Sequence, residues 1–298
     1  MSLLKRVAIG LICTSGVLQA AGLKVAVVHP LLGDVAREIG GGHVEVVDLS
    51  AGAKDMHRFQ PGPQELKKAR GAQLYLVSGK GFEPYLGKLQ SIIGKDRVLE
   101  VGRKIPSITY GKGSNIHSCC PGHSGKSTID PHWWQSMDNW RRAATIVADE
   151  FGRHDPGNKK VYAANAKRFR SEMDGLKSWA KGQLGRVPRK QRVLATSHAA
   201  FGYFCKEFGW KMLPVQGLNR EASTSPQHLG HVAEALKKEG IPAVFPESNS
   251  NPKVLQALVK QTGVKVGKPL VSDGRGYSVK RMFQHNVTNI VAVMAPQR

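Results

Sequence analysis

Acidic residues are scarce in this 298-residue chain: 22 Asp and Glu stand against 44 Lys and Arg, a formal net charge of +22. An excess of that size raises the question of a nucleic-acid partner. The basic residues are scattered, however, with one modest cluster at Arg186, Arg189, Lys190 and Arg192 and no basic motif interleaved with aromatics. No nucleic-acid function is expected, and the charge is read as serving solubility and attraction to anionic headgroups or an acidic partner surface. Cysteine is rarer still, with four in all. Cys13 falls in a leader, which leaves Cys119, Cys120 and Cys205, an odd number that cannot pair completely within one chain. Adjacent Cys119 and Cys120 would need a strained bond, so a disulfide framework does not account for this chain. No apolar run long enough for a membrane span stands at the start either: residues 7–18 cover about twelve positions, where roughly twenty are needed. With Lys5 and Arg6 before it and Ala20, Ala21 and Gly22 after it, this run reads as a secretory signal peptide, 1–20. Leu11-Ile12 ahead of Cys13 are not the small residues that precede a lipid-modified cysteine, so a soluble protein exported to the periplasm is expected.

What is present is apolar content of 41%, enough for a sizeable core, at a length that favours two lobes. Residues 24–28 form a β-branched run ending at His29-Pro30. A helical pattern over 31–39 and a stop at Gly40-Gly41-Gly42 follow. Strand patterns return at 43–49, 73–78 and 97–101, with helical patterns from Pro63 and over 82–93. Such alternation argues for mostly parallel sheets flanked by helices. The pattern stops over 106–129, a Gly-, Ser- and Lys-rich stretch containing His117, Cys119, Cys120 and His123, whose soft and borderline donors suit transient metal capture. A helix over 137–151 follows. Residues 159–184 then carry apolar groups at Tyr162, Ala166, Phe169, Met173, Leu176, Ala180 and Leu184, helical spacing over about 39 Å. A second cycle runs to the end: a strand at 192–196, a helix at 226–239, a strand at 243–245, a helix at 252–262, a strand at 264–266 and a helix at 278–294. The expected organisation is a signal peptide (1–20), an N-terminal α/β lobe (21–157), a connecting helix (158–185) and a C-terminal α/β lobe (186–298).

Four side chains fall in loops at a strand end or helix start: His57, His132, His198 and Asp273, two in each half. His132 follows Asp130-Pro131, where proline fixes the turn that presents it. Ligands bind at such edges in α/β folds, and a cleft between the lobes would collect all four. Three neutral imidazoles and a carboxylate satisfy a tetrahedral divalent ion such as zinc. Glu247, at a strand end, is expected beside the site, holding a histidine tautomer. His29 is expected to be structural. An exported zinc hydrolase is the competing function, but no His-Glu-x-x-His motif occurs, and four protein ligands close the coordination sphere against water.

These patterns together resemble the metal-specific solute-binding proteins of ABC transporters, the periplasmic zinc-binding proteins and their manganese-binding relatives. The resemblance rests on Ile39-Gly40-Gly41 with Val44-Glu45-Val46, and on His57 with Pro61, Pro63 and Leu66. It continues through Gly81-Phe82-Glu83-Pro84-Tyr85-Leu86, Asp130-Pro131-His132-Trp133-Trp134, His198 with Phe201-Gly202-Tyr203-Phe204, Phe245-Pro246-Glu247, and Ser272-Asp273. It implies two α/β lobes joined by one long backbone helix, with the metal cleft between them. It carries the ligand role onto His57, His132, His198 and Asp273, and matches the family's His-rich loop to 106–129. Met56 and Gln60 stand where the family tends to have Pro and Glu. The implied function is capture of Zn2+ as a transported ligand by a monomer that is not an enzyme and that docks on an ABC transporter membrane permease. Manganese or another divalent ion is the alternative within the family. Histidine at the position of His198 goes with zinc in that family, and glutamate there with manganese.

Overall fold

Leu23–Val27 (β1) and Leu74–Val77 (β3) are nearly continuous apolar runs because both lie inside a parallel sheet covered on its two faces. Val44–Asp48 (β2) and Val98–Glu100 (β4) take the edges, and the order is β2-β1-β3-β4, every neighbour parallel. The molecule was characterised as a computed structural model, which describes residues 22–111, 127–218, 226–248 and 252–296. The signal-peptide segment and His117, Cys119, Cys120 and His123 lie outside the described residues. After β1 the chain enters Pro30–Gly40 (α1), where His29 is the N-cap: its Nδ1 accepts the Leu31 N–H at 3.3 Å, the structural role expected of it. Pro63–Lys68 (α2) and Leu86–Ile93 (α3) cover the outer face of this sheet through Leu66, Tyr85, Leu86, Leu89 and Ile93. The helix expected over 82–93 starts later, because Glu83 folds 78–83 into a turn by accepting the N–H groups of Ser78 (2.6 Å) and Gly79 (2.9 Å).

The two ends of the stretch without periodicity pair with each other, Thr109–Tyr110 (β5) antiparallel to Thr128–Ile129 (β6). Ser136 then caps Met137–His154 (α4), which runs into Lys159–Leu184 (α5). This long helix buries Tyr162, Ala166, Phe169, Met173, Leu176, Ala180 and Leu184, the stripe its spacing predicts.

The second sheet repeats the plan with Val193–His198 (β7), Lys211–Gln216 (β8), Ala243–Phe245 (β9) and Lys265–Val266 (β10), in the order β10-β9-β7-β8 and again parallel. Gly202–Phe208 (α6) connects β7 to β8; Pro226–Lys238 (α7), Pro252–Thr262 (α8) and Val279–Met294 (α9) complete it. Strand β8 and helix α6 depart from the sequence reading. Pro214 in the middle of Lys-Met-Leu-Pro-Val-Gln argues against a strand, yet proline is tolerated at a sheet edge, and β8 is the edge neighbour of β7. Val232, Ala233 and Leu236 of α7 and Leu255 and Leu258 of α8 pack on the outer face of this sheet. The inner faces of both sheets share one core: Val25 and Val27, Leu194 and Phe245, and the helices α1, α4, α5 and α9 belong to a single cluster of buried residues. The strand ends that carry the candidate ligands open onto this common interior. No described helix is long and apolar enough to cross a membrane.

Candidate metal centre

His57 sits in the loop after β2, where Asp55 Oδ1 accepts its backbone N–H at 2.9 Å in a local turn. His132 follows β6, and His198 is the last residue of β7. Although 75 and 141 positions separate them in sequence from the first, their side chains converge: ligand atoms of all three lie within 4.8 Å of one another. The ring centroids form a near-equilateral triangle, 5.3 Å from His57 to His132, 5.3 Å from His57 to His198 and 5.2 Å from His132 to His198. His57 Nε2 lies 3.4 Å from His132 Nε2. An ion with metal–nitrogen bonds of about 2.0–2.1 Å at tetrahedral angles holds two nitrogens about 3.3–3.4 Å apart, so this edge already has the required length.

Two carboxylates set the rings. Asp130 Oδ1 accepts the backbone N–H of His132 at 2.9 Å and lies 2.9 Å from its Nδ1, while Oδ2 accepts the Tyr110 hydroxyl at 3.1 Å. Glu247 Oε1 accepts the backbone N–H of His198 at 2.8 Å, and Oε2 lies 2.5 Å from its Nδ1. A carboxylate against Nδ1 keeps the proton there and leaves the lone pair of Nε2 for a cation. All four side chains are buried, so the two carboxylates and the rings they hold face the site with almost no access to solvent. Glu247 thus occupies the place expected beside a histidine. Asp130 does the same for His132, a role its position before Pro131 did not reveal.

Phe82 and Trp134 wall the site. Phe82 meets His57 edge-on at 5.1 Å and Trp134 at 4.8 Å, and Trp134 meets His132 at 5.2 Å. His29 lies behind Trp134, ring centroids 4.5 Å apart. Burial, reinforced by neighbouring His132, holds the His29 imidazole far below the usual histidine range, at about 3. It is therefore neutral at ordinary pH.

Asp273 does not join the three histidines at their spacing. It is 6% exposed in the turn after β10, and its Oδ1 accepts the Arg275 N–H at 3.3 Å. The turn nevertheless faces the other half of the chain: Arg275 Nη1 donates to Ala53 O at 3.1 Å, in the loop that leads to His57.

Residues 25–293 match the family described as ZnuA, zinc-uptake complex component A, periplasmic. The manganese-binding lipoprotein MntA of Bacillus subtilis (strain 168) is 29% identical over 283 residues, covering 91% of this chain and 90% of that protein. The iron-binding protein YfeA of Yersinia pestis is 28% identical over 255 residues, 85% of this chain and 78% of that one. A crystal structure of ZnuA superimposes with a TM-score of 0.79 at 25% identity, covering 92% of this chain and 100% of that chain. The metals named in these descriptions differ: zinc, manganese and iron. The chain belongs to the zinc-uptake component A family: it is a metal-binding substrate-binding protein of an ABC transporter, the class that binds a metal ion and works with a membrane permease.

Proposed function

We propose that the protein is exported to the periplasm, captures Zn2+ as a monomer with His57, His132, His198 and Asp273, and delivers it to the permease. The observation that carries the reading is the His57–His132–His198 triangle, with carboxylates at Nδ1 of two rings and one Nε2–Nε2 edge at 3.4 Å. Three imidazole nitrogens suit zinc, whereas manganese favours more carboxylate oxygen and more ligands. Zinc also stands above manganese in the general affinity order for such donors. Asp273 supplies the fourth ligand and, with a divalent ion and three neutral imidazoles, leaves a first-sphere charge of about +1. The residues around Cys13 favour export without a lipid anchor, although the Bacillus relative is named a lipoprotein.

Manganese is the second reading, favoured by the name of that same relative. The deciding experiment offers metal-free protein equimolar zinc and manganese and measures the bound metals by elemental analysis after gel filtration. Almost complete zinc loading is expected. Uptake of manganese under these conditions rejects the zinc assignment.

A further inference from the structure

The residue before Asp273 is gripped from the other half of the chain. Trp134 Nε1–H and Gln135 Nε2–H both donate to the carbonyl oxygen of Ser272, each at 2.7 Å, and the same Gln135 Nε2 reaches Val271 O at 3.2 Å. Trp134 and Gln135 are buried, at 1% and 0% exposure. Gln135 Oε1 is itself buried with no hydrogen-bond partner among the described residues. An unpaired buried acceptor carries a desolvation penalty that an apolar side chain of the same shape avoids, and the N–H contacts to Ser272 and Val271 are what the amide supplies against that cost. Packing adds to the grip. Gly274 (φ +72°) lies so close to Leu31 of α1 that an added Cβ would stand 2.2 Å from the leucine side chain. Asp34 of α1 accepts the Val279 N–H at 2.8 Å, fixing the start of α9 just beyond the turn.

We infer that Trp134 and Gln135 are positioning residues for Asp273: by fixing the Ser272 carbonyl they deliver the neighbouring carboxylate to the ion from the same short turn that carries His132. This rests on Asp273 being the fourth ligand. Trp134 and Gln135 follow His132 by two and three residues, in the single helical turn Trp133–Gln135. Two ligands that sequence assigns to different halves therefore share one rigid support. The second sheet holds the same segment up to Leu270, which pairs with Glu247, and Asn286 of α9 holds Val271 at 2.8 and 2.9 Å; the grip on Ser272, the residue next to the carboxylate, comes from Trp134 and Gln135.

The test measures zinc affinity of the mature protein by competition with a chromophoric chelator for Gln135→Met, Trp134→Phe, Asp273→Ala and the double variant Gln135→Met/Asp273→Ala. Thermal unfolding of each metal-free variant checks folding. Gln135→Met is expected to weaken zinc binding about 10–100-fold, the usual effect of removing a partner that orients a ligand. Asp273→Ala is expected to weaken it at least as much, and the double variant no further, because the anchor acts only through that carboxylate. The visible spectrum of Co2+-loaded Gln135→Met should shift towards that of Asp273→Ala. Trp134→Phe keeps the ring against His29 and Phe82 while removing the N–H, and serves if Gln135→Met does not fold. Additive losses in the double variant, or unchanged affinity in the folded positioning variants, overturn the inference while leaving the ligand reading in place. Unchanged affinity in Asp273→Ala overturns both.

Discussion

Glu247 holds His198 by two atoms at once, Oε1 on the backbone N–H at 2.8 Å and Oε2 at 2.5 Å from Nδ1. Asp130 meets the same two nitrogens of His132, but through Oδ1 alone, and from two residues upstream instead of forty-nine downstream. The arrangement fixes ring rotation and tautomer together, since a ring that turned over would lose its carboxylate and expose the protonated nitrogen to the ion. Glu247→Gln keeps the volume but removes the charge-assisted acceptor at Nδ1. Zinc affinity is expected to fall about 10–100-fold, measured by chelator competition, with metal-free melting changed far less. Affinity equal to the unmodified protein rejects the orienting role.

Gly202 carries a related expectation. A Cβ there would stand 2.2 Å from the Tyr110 hydroxyl oxygen and 2.5 Å from Asp130 Oδ2. Both atoms belong to the network that aims His132, so making room for the methyl group must displace that network. Gly202→Ala should therefore lower metal affinity without touching a ligand. It should also destabilise the metal-free fold by about 1–3 kcal/mol, as overpacking does. Calorimetric titration and urea unfolding on one preparation read the two effects, and an alanine variant with native affinity would show that the network tolerates the shift.

His29 ties the site's support to pH. Its folded value of about 3 lies below the ordinary histidine value near 6.5, because burial opposes the charged ring. Between these values the unfolded chain binds the extra proton, so the contribution to stability is complete above about pH 6.5 and is lost as pH falls towards 3. His29→Asn retains a good N-cap for α1 and removes the titrating ring. Urea unfolding from pH 4 to 6 should show a shallower acid slope in the variant by up to one proton, about 1.4 kcal/mol per pH unit. Parallel slopes would contradict the assignment.

Much of the architecture was legible because its signals are local. The apolar stripe from Tyr162 to Leu184 marks α5 to within three residues of its start and at its end, and β-branched runs mark β1 and β2. Strand β8 was hidden because whether Pro214 breaks a strand depends on edge position, which is a property of the sheet. The same division runs through the site. His57, His132 and His198 stood out as histidines at strand ends or turns. Asp130, Trp134 and Gln135 looked like parts of a turn, because their partners are Tyr110, Ser272 and Val271, and only folding brings them near. The shared core was equally invisible, since periodicity shows that a face is apolar and not which second sheet it meets.

His198→Glu tests what sets the choice of metal. Exchanging an imidazole for a carboxylate moves the proposed donor set from three nitrogens and one oxygen towards two of each, which weakens the claim of zinc and improves that of manganese. The substitution alone is not a clean exchange. Position 198 is fully buried with Glu247 against it, so the new carboxylate would face another at close range in a dry site, and one of them would hold a proton. His198→Glu is thus expected to bind both metals more weakly, with a narrowed preference for zinc. Adding Glu247→Gln removes the repulsion and lets the amide donate to the new carboxylate, so the pair should recover manganese binding more than zinc binding. Equimolar competition followed by elemental analysis reads the ratio directly. If the double variant keeps the zinc preference of the unmodified protein, the imidazole of His198 is not what selects the ion.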